Sequence, residues 1–121
     1  MKYEKGDIVF ASNAVKMQNN DSIKSHLYVI IDDDGNIVPA EYFGFVVSSR
    51  IEKSKNNSPF KYNEPIMKND INNLDVDSIV KCDQLMSIPK QSIQCKIGSV
   101  QENELNTFLD AFDNYLGTVN T

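Results

Sequence analysis

The sequence predicts a mainly β domain in which a small, curled antiparallel sheet is closed by one C-terminal amphipathic helix. Two observations carry this. Short β-branched and aromatic runs recur along the first hundred residues, separated by Asn, Asp, Gly and Pro clusters. Helical periodicity is confined to the end of the chain, where Leu105, Phe108, Leu109, Phe112 and Leu116 recur on one face while Glu104, Asp110, Asp113 and Asn114 take the others. At 121 residues, 40% hydrophobic and 24% charged, the chain has enough apolar surface for one ordinary core and is expected to form a single domain over residues 1–121.

The stretch that organises the rest is residues 42–53, YFGFVVSSRIEK. Phe43, Phe45, Val46 and Val47 predict a strand buried on both faces. Its end delivers Ser48, Ser49 and Arg50 to a surface, and Gly44 marks a bulge or the close approach of another backbone. Before it, GDIVF reads as a first strand near an edge, with Ile8 and Phe10 on one face and Val9 on the other. Residues 12–25, rich in Asn, Gln, Ser and Lys, read as a long exposed loop. HLYVII reads as a second buried strand, ended by the turn chemistry of Asp32-Asp33-Asp34-Gly35-Asn36. Three adjacent aspartates invite a metal reading, but no further acidic group follows at ligand spacing, so a solvated turn is expected.

Residues 37–40 read as a short returning strand, and residues 54–59 as an exposed loop. Residues 60–67 read as an extended edge, restricted by Pro65, and residues 69–77 as a polar turn region anchored by Leu74 alone. SIVKC and QLMSI read as two strands separated by a bend at Asp83, and IQCKIG, after a turn at Pro89-Lys90, as the last strand. Ser99 and Glu102 fit a capping box that opens the helix, and Gly117 is its expected stop.

A net charge of −5 argues against a general nucleic-acid binder. The acidity is uneven: residues 62–121 hold nine acids against four lysines, whereas residues 1–61 balance at eight of each sign. A local cationic patch from Lys16, Lys24, Arg50, Lys53 and Lys55 is therefore compatible with the composition. The N-terminus lacks a continuous apolar segment and no later run is long enough to span a bilayer, so a cytoplasmic protein without a membrane partner is expected. Cys82 and Cys95 fit no metal or redox spacing and are expected to be reduced structural thiols.

No GxSxG, GxxxxGK[ST] or HExxH is present, and the single histidine lies in no triad-like spacing. The remaining chemistry is a set of hydroxyls, cations and one imidazole near strand ends: Lys24, Ser25, His26, Ser48, Ser49 and Arg50. Such groups suit phosphodiester cleavage in which a ribose 2′-hydroxyl attacks its own phosphate.

The order of these pieces resembles the MazF/PemK (Kid) family of toxin endoribonucleases. KGDIVF is similar to the family's first strand, KSHLYVII to its RPxLVI strand, and FVVSSRIEK to the strand that ends in a threonine or serine. DSIVKCDQLMSIPKQSI resembles DSxVxxxQIxTIDKxRI, and KIGSVQENELNTFLDAFDNYLG the closing strand and helix, so the resemblance covers nearly the whole chain. It implies a small SH3-like barrel, a homodimer, a cognate antitoxin partner, growth inhibition, and cleavage of single-stranded RNA with neither metal nor cofactor. By position Ser48 takes the place of the family's catalytic threonine or serine. The family's arginine is replaced by Ser25 and the following proline by His26. A serine cannot supply the forked, permanent charge of an arginine. Lys24 or Arg50 is then expected to supply charge, and His26 acid–base capability, since imidazoles as a class exchange protons near neutral pH. The expected catalytic residues are Ser48, His26 and Arg50. Lys16, Lys24, Ser25, Ser49 and Lys53 are expected to bind RNA, and an antitoxin segment is expected beside residues 12–25. The alternative reading is a catalytically silent binding or regulatory module on the same barrel.

Overall fold

The computed structural model of the protein describes residues 2–56 and 59–119. Six strands and one long helix follow in order: β1 (Asp7–Lys16), β2 (Ser22–Asp33), β3 (Glu41–Ser48), β4 (Asn63–Ile66), β5 (Ser78–Pro89), β6 (Ile93–Ser99) and α1 (Glu102–Val119). Every pairing is antiparallel and the order across the sheet is β4-β5-β3-β2-β1-β6. A further pairing of Val15 and Lys16 with Ser87 and Met86 joins β1 to β5 and curls the sheet into the expected barrel.

Two cores result. One, with Val9, Ala11, Ala14, Tyr28, Ile30, Tyr42, Val46, Met86 and Ile88, follows laterally registered residues such as Val9, Tyr28 and Val46 around one face of the curled sheet. The other, with Ile8, Val29, Phe45, Val47, Val80 and Cys82, takes the opposite face and is covered by Phe108 and Ala111 of α1 together with Ile66 and Leu74. Strand β3 feeds both cores, which is why its sequence shows no polar alternation. Gly44 is required there, because a Cβ on it would lie 2.4 Å from the Val29 carbonyl oxygen.

The structure corrects several expectations. Residues 12–25 are not a long loop. They form the arms of the β1–β2 hairpin, leaving a short turn around residues 17–21, because Ala11 and Ala14 are buried while the polar residues between them face outward. The first strand does lie near an edge as expected, one strand in, between β2 and the edge strand β6. Residues 37–40 form no strand: Ile37 and Val38 are exposed, and the Asp34 carboxylate accepts from the N–H groups of Ala40 and Glu41 to fix a turn instead. SIVKC and QLMSI belong to one strand, β5, in which the register against β3 shifts between Phe45 and Val46, so residues 82–84 bulge rather than break the strand. Ser99 does not cap the helix, since it is held in β6 opposite Asp7. Glu104 reaches back to the Gln101 N–H instead, which moves the cap two residues on. Gly117 lies inside α1 rather than ending it. The 54–59 loop is exposed at Lys55, Asn56 and Pro59 as expected, with Ser54 alone buried among its described residues, and residues 57 and 58 lie outside the described residues. Cys82 is buried, whereas Cys95 is exposed on β6, which does not pair with β5, so only Cys82 is a core thiol.

Candidate active site and its relatives

Strands β2 and β3 run antiparallel with Leu27 opposite Val47, so the residues just beyond, His26 and Ser48, arrive together at one end of the sheet. There a cleft of about 420 Å³ opens, walled by Ser25, His26, Ser48, Ser49 and Arg50, with Leu27, Val47 and Leu74 among its apolar lining. Two stretches 23 residues apart in sequence, expected to share chemistry, are therefore joined by strand pairing.

The backbone carries local devices that aim these groups. Ser25 has φ 41°, in the left-handed region that costs a non-glycine residue about 1 kcal/mol. His26 is half-buried. Its Nδ1 accepts from the Leu27 N–H at 2.9 Å and lies 3.3 Å from the Leu27 carbonyl oxygen, so both protonation states of Nδ1 find a partner and Nε2 is left for other work. The imidazole also leans on Tyr28, with ring centroids 6.1 Å apart. Ser48 is buried, and its hydroxyl oxygen accepts from the Arg50 N–H at 3.2 Å, closing a tight turn that projects the exposed Arg50. The hydroxyl proton of Ser48 remains available to an incoming acceptor.

The far wall of the cleft comes from residues 74–78 and brings in Asp75, Val76 and Ser78, none of which stood out in the sequence. What fixes that wall is Asn72, fully buried: its amide nitrogen donates to the Met67 carbonyl, and its amide oxygen accepts from the N–H groups of Asn69 and Leu74. Leu74 is thus one of two anchors in this turn region. Gly98 makes room for it, as a Cβ there would sit 2.3 Å from the Asn72 carbonyl oxygen.

The expected cations separate. Arg50 lines the cleft. Lys24 is exposed on β2 opposite Asn13 and is not among the residues that line it, and Lys55 is taken by Glu64 at 2.8 Å. Lys16 and Lys53 lie near a residue that was not singled out, Lys81. Burial and then the charges of Lys53 and Lys16 push its ammonium below the usual lysine range. Lys81 reads in sequence as an outward residue between two core positions, so only the curl of the sheet discloses its neighbours. The aspartate run at residues 32–34 works in turns: Asp33 accepts from Gly35, and Asp34 is held below the usual carboxylate range by the backbone N–H groups of Asn36 and Ala40. No helix among the described residues is long and apolar enough to cross a membrane.

Solved structures similar to this chain share the fold. An endoribonuclease in complex with its cognate antitoxin, from a mycobacterial species, superposes with a TM-score of 0.68 over 96% of both chains at 12% identity. The Mycobacterium tuberculosis toxin MazF-mt6 gives 0.62 over 92% of this chain and 96% of its own at 16% identity. No curated protein sequence matches the chain. The sequence profile of the PemK-like, MazF-like toxins of type II toxin–antitoxin systems, however, matches residues 4–116, nearly the full length, and the chain belongs to that family.

Proposed function

We propose that this toxin is an endoribonuclease that cuts single-stranded RNA by attack of a ribose 2′-hydroxyl on the adjacent phosphate. The observation that carries this reading is one cleft holding His26, Ser48 and Arg50. The new bond joins the 2′-oxygen to phosphorus as the bond to the 5′-oxygen breaks, leaving a 2′,3′-cyclic phosphate and a free 5′-hydroxyl. Attack and departure lie on opposite sides of phosphorus, so one group cannot serve both. His26, protonated, donates from Nε2 to the departing 5′-oxygen. Asp75, the carboxylate on the cleft walls, accepts the 2′-hydroxyl proton. Ser48 donates its hydroxyl to a non-bridging oxygen, and the Arg50 guanidinium offsets the charge that develops there. The chain thus supplies an acceptor, a donor and positive charge from its own side chains, which supports cleavage without a metal.

A second reading, a catalytically silent binding module, is favoured by Ser25 standing at the family's arginine position. Purified protein incubated with single-stranded RNA in EDTA separates the two. Discrete fragments ending in cyclic phosphate, with growth arrest on expression, support the nuclease. Intact RNA and unaffected growth overturn it. Family membership also supports a homodimer and an antitoxin partner. Sedimentation at micromolar concentration tests the former, a monomer mass being the contrary result. Co-expression with the product of an adjacent small gene, relieving growth arrest, tests the latter.

A further inference from the structure

Beyond the cleft, the chain concentrates positive charge in a second place. The 3-10 turn Ile51–Lys53 follows directly from Arg50 and is tied to β4, where the Asn63 side chain donates to the Lys53 carbonyl at 2.8 Å. Asn63 stands opposite Lys81 on β5, so Lys53 is anchored beside Lys81. The Lys53 ammonium is further held 6.0 Å from the centroid of the Phe60 ring. From the other side, the tip of the β1–β2 hairpin crosses β5: Lys16 opposes Met86, Met17 donates to the Leu85 carbonyl at 2.9 Å, and Gln18 donates to the Asp83 carbonyl at 3.1 Å. Three elements that are distant in sequence therefore converge on the bulge at residues 82–84.

The electrostatics of that convergence are unfavourable unless an anion visits. Lys81 is half-buried and feels the charges of Lys53, Lys16 and Arg50 against that of Asp83, and Glu52 lies in the turn between Arg50 and Lys53. Among the described residues none of these four cations makes an ion pair, whereas Lys2, Lys55 and Lys96 all do. Four cations gathered where only Asp83 and Glu52 lie near in the fold or the chain leave an excess of positive charge in a protein of net charge −5, and a bound polyanion relieves that repulsion.

We infer that Lys16, Lys53 and Lys81 form a phosphate-binding track, separate from the cleft and joined to it by Arg50, that holds the flank of a single-stranded RNA whose scissile phosphate lies between His26 and Ser48. This rests on the nuclease reading for its choice of polyanion. RNA is favoured over an acidic protein segment because the track continues from the cleft along consecutive residues 48–53, so one strand seated at Ser48 can reach Arg50 and Lys53 without a break.

A fully 2′-O-methylated single strand cannot be cut, so its binding reads the track without catalysis. The dependence of log affinity on log salt should be measured for the wild type, Lys81→Gln, Lys16→Gln with Lys81→Gln, Lys81→Arg, and Lys90→Gln as a control outside the track. Each lysine removed should lower the slope by about 0.7, and the double variant should bind roughly tenfold more weakly at low salt. Lys81→Arg should keep the wild-type slope, which separates lost charge from a disturbed fold, and Lys90→Gln should leave it unchanged. Slopes unaltered in the Lys16 and Lys81 variants overturn the track, as does capture of polyglutamate in preference to the methylated strand. The two readings fail separately: cleaved RNA with unaltered slopes removes the track alone, and lowered slopes with uncut RNA remove the nuclease alone.

Discussion

The cleft and the lysine cluster lie at the two ends of residues 48–53, yet they are built on opposite plans. In the cleft a half-buried imidazole and a buried hydroxyl are held by backbone hydrogen bonds over an apolar floor, with Asp75 and Arg50 also on the walls. In the cluster the side chains are cations placed by their backbone connections, with Lys53 also held over the Phe60 ring, and positive charge outweighs the acids around it. Proton transfer needs a few groups fixed to within a fraction of an ångström, whereas strand affinity needs charge and tolerates imprecise placement. The two regions should therefore fail differently when mutated.

The largest effects belong to the cleft. His26→Ala and Ser48→Ala should each lower cleavage of single-stranded RNA by roughly a hundredfold or more, the scale on which a positioned acid–base group or charge-stabilising donor acts. Binding of an uncut strand should hardly change. Equal losses in binding and turnover would abolish the division of labour, and full activity in folded His26→Ala protein would return the proton to another group. Arg50, which belongs to both regions, should show a mixed phenotype. Arg50→Ala is expected to lower kcat/KM about tenfold at moderate salt through both terms, and the deficit in binding should shrink for short oligonucleotides that fill only the cleft. A pure kcat effect with the salt dependence intact would confine Arg50 to the cleft.

The same contrast explains what was legible in the sequence. The cleft's chemical groups could be read because each sits at the end of an unmistakable core strand: Tyr28 to Ile31 and Tyr42 to Val47 fix where His26 and Ser48 emerge, and Gly44 announced a close backbone. Pro65 likewise announced the edge strand β4. The hairpin arms were missed because their buried members are small, Ala11 and Ala14, among Asn, Ser and Lys that satisfy a loop reading equally well. Lys81 and Asp75 were invisible because their neighbours come from other elements, through curling of the sheet and folding over of the 69–77 segment. Local sequence carries neither fact. Ser99 and Glu102 match a capping box in composition, but a strand partner at Asp7 claims Ser99 first.

A smaller effect separates the cleft's two walls. The wall bearing His26 and Ser48 is part of the barrel, whereas the wall bearing Asp75 hangs on Asn72. Asn72→Ala leaves the Met67 carbonyl and the N–H groups of Asn69 and Leu74 without their buried partner, at a cost of about 1–3 kcal/mol. Denaturant midpoints should report that loss. Proteolytic nicking should appear first in residues 69–77, and activity should fall more than strand binding. Uniform protection of that segment in the variant would mean that Asn72 does not hold the wall.

The last prediction concerns the residue between the two regions. Tyr28 touches the His26 ring on one side and stands in register with Val46, which in turn opposes Lys81. Its ring is fully buried in the core, and its hydroxyl has no hydrogen-bond partner among the described residues. Burial disfavours the phenolate and pushes the hydroxyl up to about 12. The folded state therefore keeps a proton that the unfolded chain releases near pH 10. The associated stability is fully present below pH 10 and is lost progressively as the pH rises towards 12, by about 1.4 kcal/mol for each unit of difference. Tyr28→Phe removes both the orphaned hydroxyl and this titration. At pH 8 the variant should be as stable as the wild type or up to about 1 kcal/mol more so, since an unpaired buried hydroxyl costs desolvation without return. Between pH 10 and 12 its advantage should widen. Parallel urea midpoints across that range would show instead that the hydroxyl is paired or hydrated in solution. A loss of cleavage in Tyr28→Phe with unchanged stability would make Tyr28 a positioning residue for His26, so that the cleft would draw on the same core that supports the lysine cluster.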